Sequence, residues 1–247
     1  NKTKGKDNAY SNEEIMADLT ALMETHVDPN LPVVMMGHSY ACNVILPMLL
    51  ESQKNKGEEK KFQNLTACIF LSSAVRCPEN PNTGGGHWMM RSPYVPDMLL
   101  NYLQPSMTNA FIEMAVHPDH TALRAQVKEA SNGNSMRTAR AYHRNHKWYA
   151  PPEAYTFDLD VPILVVHGAE DAIIPVAAGR SLAQSLSPES SFAHSSEHAS
   201  AQESLPTNHV EFVTVERAKH LVMMEQPDEV ARAVWKFLRP LRVRFKK

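Results

Sequence analysis

The chain has 247 residues, 43% of them hydrophobic and 21% charged, and a net charge of -2 at pH 7. That length allows one sizeable core of ordinary globular composition, and the near-neutral balance excludes the basic footprint of a nucleic-acid binder. Three irregularly spaced cysteines (Cys42, Cys68, Cys77), no apolar run of about 18 residues and no secretory leader exclude a disulfide framework and a membrane helix, and set an intracellular, cytoplasmic expectation.

Asn1 to Asn8 is polar and expected to be disordered. Ser11-Asn12-Glu13-Glu14 is a capping box opening a helix whose apolar face is Ile15, Leu19, Leu22 and Met23. The run Leu31 to Met36 is apolar throughout, which predicts a strand of a parallel sheet with both faces buried. Directly after it, Gly37-His38-Ser39-Tyr40-Ala41 predicts a sharp strand-to-helix turn with Ser39 at its apex. Gly37 and Ala41 flank the serine because so tight a turn admits only small side chains. A helix follows from Tyr40 to about Glu51, carrying Val44, Leu46, Met48 and Leu49, with Cys42 as a small core residue. Pro47 lies inside it and must kink it or remove one backbone hydrogen bond. Residues 54–61 read as a charged linker, and Leu65 to Leu71 as the next parallel strand of a βαβ unit.

From Arg76 to about Pro152 the alternation of strand and helix stops. Methionines and aromatics in this stretch, Trp88 and Met89 among them, suit an adaptable apolar pocket wall, or equally the inner face of helices packed on a core. Asn82-Thr83-Gly84-Gly85-Gly86-His87 reads as a flexible lead-in to this insertion, and the basic residues Arg137, Arg140, His143, Arg144, His146 and Lys147 as a solvated helix face.

Val161 to Val166 and Val210 to Val215 are two further apolar, β-branched strands. The first leads into His167-Gly168-Ala169-Glu170-Asp171 and the second into Lys219-His220. Between them, Ser185 to Asn208 is Ser/Glu/His-rich and reads as disordered. His194, His198 and His209 are conceivable metal ligands, but their spacing fits no known cage, so no metal site is expected. Pro227 opens a final helix with Val230, Ala233, Val234, Phe237 and Leu238 as its buried stripe and Trp235 beside it. The tail from Arg239 to Lys247 is basic with apolar residues between, a candidate for contact with an anionic membrane surface or simply a frayed end.

Serine, acid and histidine thus occur in that order, each just past the carboxyl end of a strand. In this arrangement, and in its GHSY elbow and HGxxDxxxP acid loop, the sequence resembles the α/β-hydrolase superfamily, most closely its abhydrolase-domain-containing branch. The resemblance implies an α/β fold in three α/β/α layers around a mostly parallel sheet. The core would comprise residues 1–75 and 153–247, with a helical cap at 76–152. It implies Ser39 as nucleophile, His220 as general base and then acid, and Asp171, three residues after Gly168, as the residue that orients the histidine. Glu170 is the rival acid. The Tyr40 backbone N–H would bind the oxyanion, and His38, Trp88 and Met89 would line the substrate site. The family's earlier strands and its His-Gly oxyanion loop have no counterpart here, so the nucleophile strand is expected to present a bare apolar edge.

Serine is a poor nucleophile at neutral pH and needs an imidazole to take its proton, which is why these three residue types belong together. The resulting expectation is a serine hydrolase cleaving carboxylic esters or related acyl bonds of lipophilic, small-molecule or lipid substrates, with no metal or organic cofactor. The alternative is a non-catalytic scaffold of the same fold that binds a lipid surface or protein partner. Oligomeric state is not legible in the sequence.

Overall fold

The computed structural model describes residues 7–54, 64–74, 84–149, 161–187 and 209–241. Four strands, β1 (Val33–His38), β2 (Leu65–Leu71), β3 (Ile163–Gly168) and β4 (Val210–Val215), form one parallel sheet in the order β1-β2-β3-β4. The β-branched, apolar sequences of β2 and β3 suit the middle of such a sheet, where both faces are covered by helices. Ile163, Leu164, Val165 and Val166 are fully buried. The first and third strands begin two residues later than expected and run on through His38 and Gly168.

On one face, α1 (Asn12–His26), α2 (Cys42–Lys54) and α7 (Val176–Leu186) pack against Met35, Cys68, Phe70 and Val165. On the other, the short α8 (Val222–Glu225) leads into α9 (Pro227–Leu238), which, with Val230 and Phe237 buried and Pro227 in its first turn, covers Ile69, Leu71, Leu164 and Val166. Ser11 caps α1 by accepting the Glu14 N–H at 3.2 Å. Leu22, expected on the buried face, is 56% exposed instead; Met16 packs inward with Ile15 and Leu19.

β1 departs from a strand buried on both faces. Val34 is 39% and Met36 51% exposed, because β2 is its only neighbour among the described residues and no described helix covers that face. Within α2, Pro47 cannot donate to Asn43 O, and that carbonyl accepts a long 3.4 Å bond from Asn12 Nδ2.

Between β2 and β3 the described residues form α3 (Gly84–Arg91), α4 (Asp97–Ala115), α5 (Thr121–Asn132) and α6 (Met136–Asn145). The glycine run therefore opens a helix rather than a flexible lead-in. The basic segment is a solvated face only in part, with Arg137 and Lys147 exposed. Arg140 is buried, pairing with Asp97 at 2.5 Å and donating to Ser92 O, in the same insertion whose Met90, Val95, Leu100 and Met136 form a cluster of their own. Leu241 is also buried, so the tail's first residues pack on the core instead of fraying, while residues 242–247 lie outside the described residues. Asp7–Tyr10 form a 3-10 turn that begins within the last two residues of the segment expected to be disordered. The linker at 55–61, Cys77 and residues 188–208 lie outside the described residues. Cys42 and Cys68 are free and buried, and burial pushes both thiols up, Cys68 to about 12. Among the described residues no helix is long and apolar enough to cross a membrane, and no cluster of three potential metal ligands occurs.

Candidate active site

The carboxyl ends of β1, β3 and β4 lie along one edge of the sheet, and the loops leaving them converge there. Ser39 follows β1 with φ of 55°, a left-handed conformation that costs a side chain with a Cβ on the order of 1–3 kcal/mol. The strain lifts Oγ clear of the strand end. A Cβ on Gly37 would stand 2.7 Å from Ile45 Cδ1 and 3.1 Å from Ala41 Cβ, so the turn closes only over small residues. Ser73, just past β2, donates through Oγ to Ser39 O at 3.0 Å and supports the turn from below.

His220 Nε2 lies 2.8 Å from Ser39 Oγ, and its Nδ1 lies 2.9 Å from Asp171 Oδ2. Asp171 Oδ1 accepts the N–H groups of Ile173 and Ile174, each at 2.9 Å. Burial pushes the Asp171 carboxyl up, but hydrogen bonds from His167 and His220, the electrostatic attraction of the His220 ring and the Ile174 N–H outweigh it and hold it well below the usual carboxylate range. An ionised acceptor at Oδ2 requires the His220 proton on Nδ1, which leaves Nε2 free to accept the Ser39 hydroxyl proton. Glu170, the rival acid, is half-exposed and faces away: its Oε2 lies 3.4 Å from His117 Nε2.

The loop carrying His220 is pinned on all sides. Arg217, with φ of 53°, turns the chain out of β4. Ala218 O accepts from Glu170 N at 3.0 Å, and His220 O accepts from His38 Nε2 at 2.9 Å. Because a carbonyl only accepts, His38 carries its proton on Nε2. Burial, then the electrostatic influence of the neighbouring His220 ring, pulls the His38 pKa down to about 4, so that ring is neutral at neutral pH. The loop lies directly on Gly168, where a Cβ would come within 2.1 Å of Lys219 O. His167 is fully buried behind Asp171; its Nε2 donates to Ile174 O at 2.8 Å and lies 3.4 Å from Asp171 Oδ2.

Tyr40 is the second residue of the 3-10 turn Ser39–Ala41, whose first N–H groups have no acceptor within the turn. Its side chain is fixed by donating to Asn12 Oδ1 and by edge contacts with Tyr142 at 4.9 Å and His146 at 4.0 Å. Asn12 in turn accepts from Lys147 N at 3.2 Å, and Asn43 Oδ1 accepts from Tyr149 N at 2.7 Å, so two buried asparagines lash the end of the inserted helices to the elbow.

The structure therefore brings Ser39, Asp171, His220, His38 and the Tyr40 main chain together. It does not bring Trp88 or Met89 to them: Trp88 is 65% exposed on α3 and Met89 packs beside Met90 in the separate helical cluster. Sequence reasoning missed Ser73, His167, Asn12, Asn43 and Glu225. Only Ser73, at a strand's carboxyl end, and Glu225, shortly after His220, stand where the chain pattern could have drawn attention to them.

No curated protein matches the chain in sequence. Solved structures do match in fold. The thermophilic esterase of Thermogutta terrifontis with malate bound superposes with a TM-score of 0.63 at 18% identity, covering 94% of this chain and 73% of that one. The enol-lactonase of Burkholderia xenovorans LB400 gives 0.62 at 16%, with 96% and 75% covered. MGS-M2, an alpha/beta hydrolase enzyme from a Medee basin deep-sea metagenome library, gives 0.67 at 11%, again with 96% and 75% covered. The family model described as Alpha/beta hydrolase family matches residues 5–233, a span that holds the whole sheet, the strained serine and the histidine loop, and the chain accordingly belongs to that family.

Proposed function

We propose that the chain is a serine hydrolase that cleaves carboxylic ester or related acyl bonds. The observation that carries this reading is the continuous relay from Ser39 Oγ through His220 to Asp171, at 2.8 and 2.9 Å, with the serine held at positive φ. Ser39 Oγ attacks the acyl carbon while His220 Nε2 takes the hydroxyl proton. Asp171 stays ionised and stabilises the imidazolium without itself taking the proton. The Tyr40 N–H stabilises the oxyanion of the tetrahedral intermediate. As the bond to the leaving group breaks, His220 hands that group the proton. Water then adds to the acyl-enzyme by the reverse proton path, releasing the acid and free Ser39.

Support for acyl substrates comes from the fold neighbours whose descriptions name an esterase and an enol-lactonase. We take the acyl portion to be lipophilic, in keeping with the methionine- and aromatic-rich composition of the insertion. The exposed Tyr94, Met98 and Tyr102 on the same insertion favour a second reading, a non-catalytic scaffold that docks a lipid surface or partner.

Fluorophosphonate labelling with peptide mapping, beside Ser39→Ala, separates the two. The expected result is an adduct on Ser39 and hydrolysis of p-nitrophenyl acyl esters that both vanish in folded Ser39→Ala. A folded wild type that neither labels nor turns over ester would defeat the enzyme reading and leave the scaffold.

A further inference from the structure

Glu225 is 3% exposed, and nothing in the relay from Ser39 to Asp171 uses it. Its two oxygens are both occupied by main-chain donors from opposite sides. Oε2 accepts the His117 N–H at 2.7 Å, and Oε1 accepts the Lys219 N–H at 3.0 Å. His117 lies just past the end of α4, in the insertion, whereas Lys219 is the residue before His220. The same two segments meet a second time, because His220 N and Leu221 N converge on Ala115 O at 3.1 and 3.2 Å. Lys219 Nζ adds a bond to Glu113 O at 2.5 Å, and Arg217 pairs with Asp119 at 2.6 Å.

Burying a carboxylate costs several kcal/mol unless charge-assisted hydrogen bonds replace water. Two apolar side chains could hold these segments together without that cost. What a carboxylate adds is direction, since it holds two N–H groups at set angles and so fixes the peptide that precedes the histidine. We propose that Glu225 is a positioning residue for His220, a clasp through which the end of α4 sets the imidazole against Ser39. This rests on the serine-hydrolase reading above.

Glu225→Gln tests it. The amide keeps one acceptor and turns an NH2 group toward the other N–H, so one of the two bonds is lost with almost no change in volume. A displacement of about 1 Å at a reacting group can cost on the order of a hundredfold in rate. The expected result is a ten- to hundredfold fall in p-nitrophenyl ester kcat per fluorophosphonate-titrated site, and a matching fall in labelling rate, with KM within about twofold. A purely structural role would lower Tm and the number of titrated sites while leaving kcat per site unchanged, and that result would overturn the clasp. If the variant does not fold, hydrogen exchange on the wild type decides. Slow, grouped exchange of the His117, Lys219, His220 and Leu221 amides supports the proposal, and exchange at exposed-loop rates refutes it. A wild type that fails to label at all would refute instead the serine-hydrolase reading on which the clasp depends.

Discussion

Asp171→Asn isolates the electrostatic part of the relay with almost no change in shape. Its Oδ1 position is reserved for an acceptor, because Ile173 N and Ile174 N both donate there at 2.9 Å. The substituted amide must therefore keep its oxygen at that position and place its NH2 group 2.9 Å from His220 Nδ1. Two donors cannot face each other, so the imidazole moves its proton to Nε2 and presents a donor, not a base, to Ser39. The loss is that of the wrong tautomer, about 10⁴-fold in kcat where the same exchange is known in serine proteases, or about 5 kcal/mol of transition-state stabilisation. Burst and steady-state hydrolysis of a p-nitrophenyl ester would measure it, with fluorophosphonate labelling rate as a substrate-independent readout and Tm as the folding control. Glu170→Gln is the companion, expected to stay within about twofold of wild type because Glu170 faces His117 instead. A folded Asp171→Asn with kcat within threefold of wild type would refute the reasoning, and a large loss in Glu170→Gln would move the acid to its neighbour.

Gly168→Ala drives a Cβ to within 2.1 Å of the Lys219 carbonyl, a backbone atom that cannot swing away. The histidine loop must shift, and we expect at least about 2 kcal/mol of destabilisation in chemical unfolding together with a tenfold or greater loss of labelling; wild-type values for both would mean the loop is not seated there. His38 predicts a pH dependence of stability. Its pKa falls from an unfolded value near 6.5 to about 4 in the fold, so between those limits the unfolded chain binds the extra proton. The stabilisation is complete above about pH 6.5 and withdrawn as pH falls toward 4, by at most about 3 kcal/mol. Tm measured across that range should fall less steeply in His38→Gln than in wild type, and parallel curves would exclude this ring as the source.

Features set by near neighbours in the chain were legible before any fold was known. The Ser11 cap on α1, Pro227 at the start of α9, the four apolar strands and the small residues around Ser39 all follow from local sterics and backbone hydrogen bonding. The order serine, aspartate, histidine, each just past the carboxyl end of a strand, already pointed to one sheet edge. Side-chain partnerships between distant segments were not legible, because the sequence carries residue types but not the atoms they will meet. Arg140 reads as part of a solvated basic face and is buried on Asp97; Leu22 reads as core and is exposed. That Asp171 and not Glu170 meets His220 follows from tertiary contacts, since two N–H groups and two imidazoles close around the first, whereas the second turns out to His117. Glu225 is the clearest case: its donors, His117 and Lys219, stand about a hundred residues apart, and only the packing of α4 against the histidine loop brings both to one carboxylate.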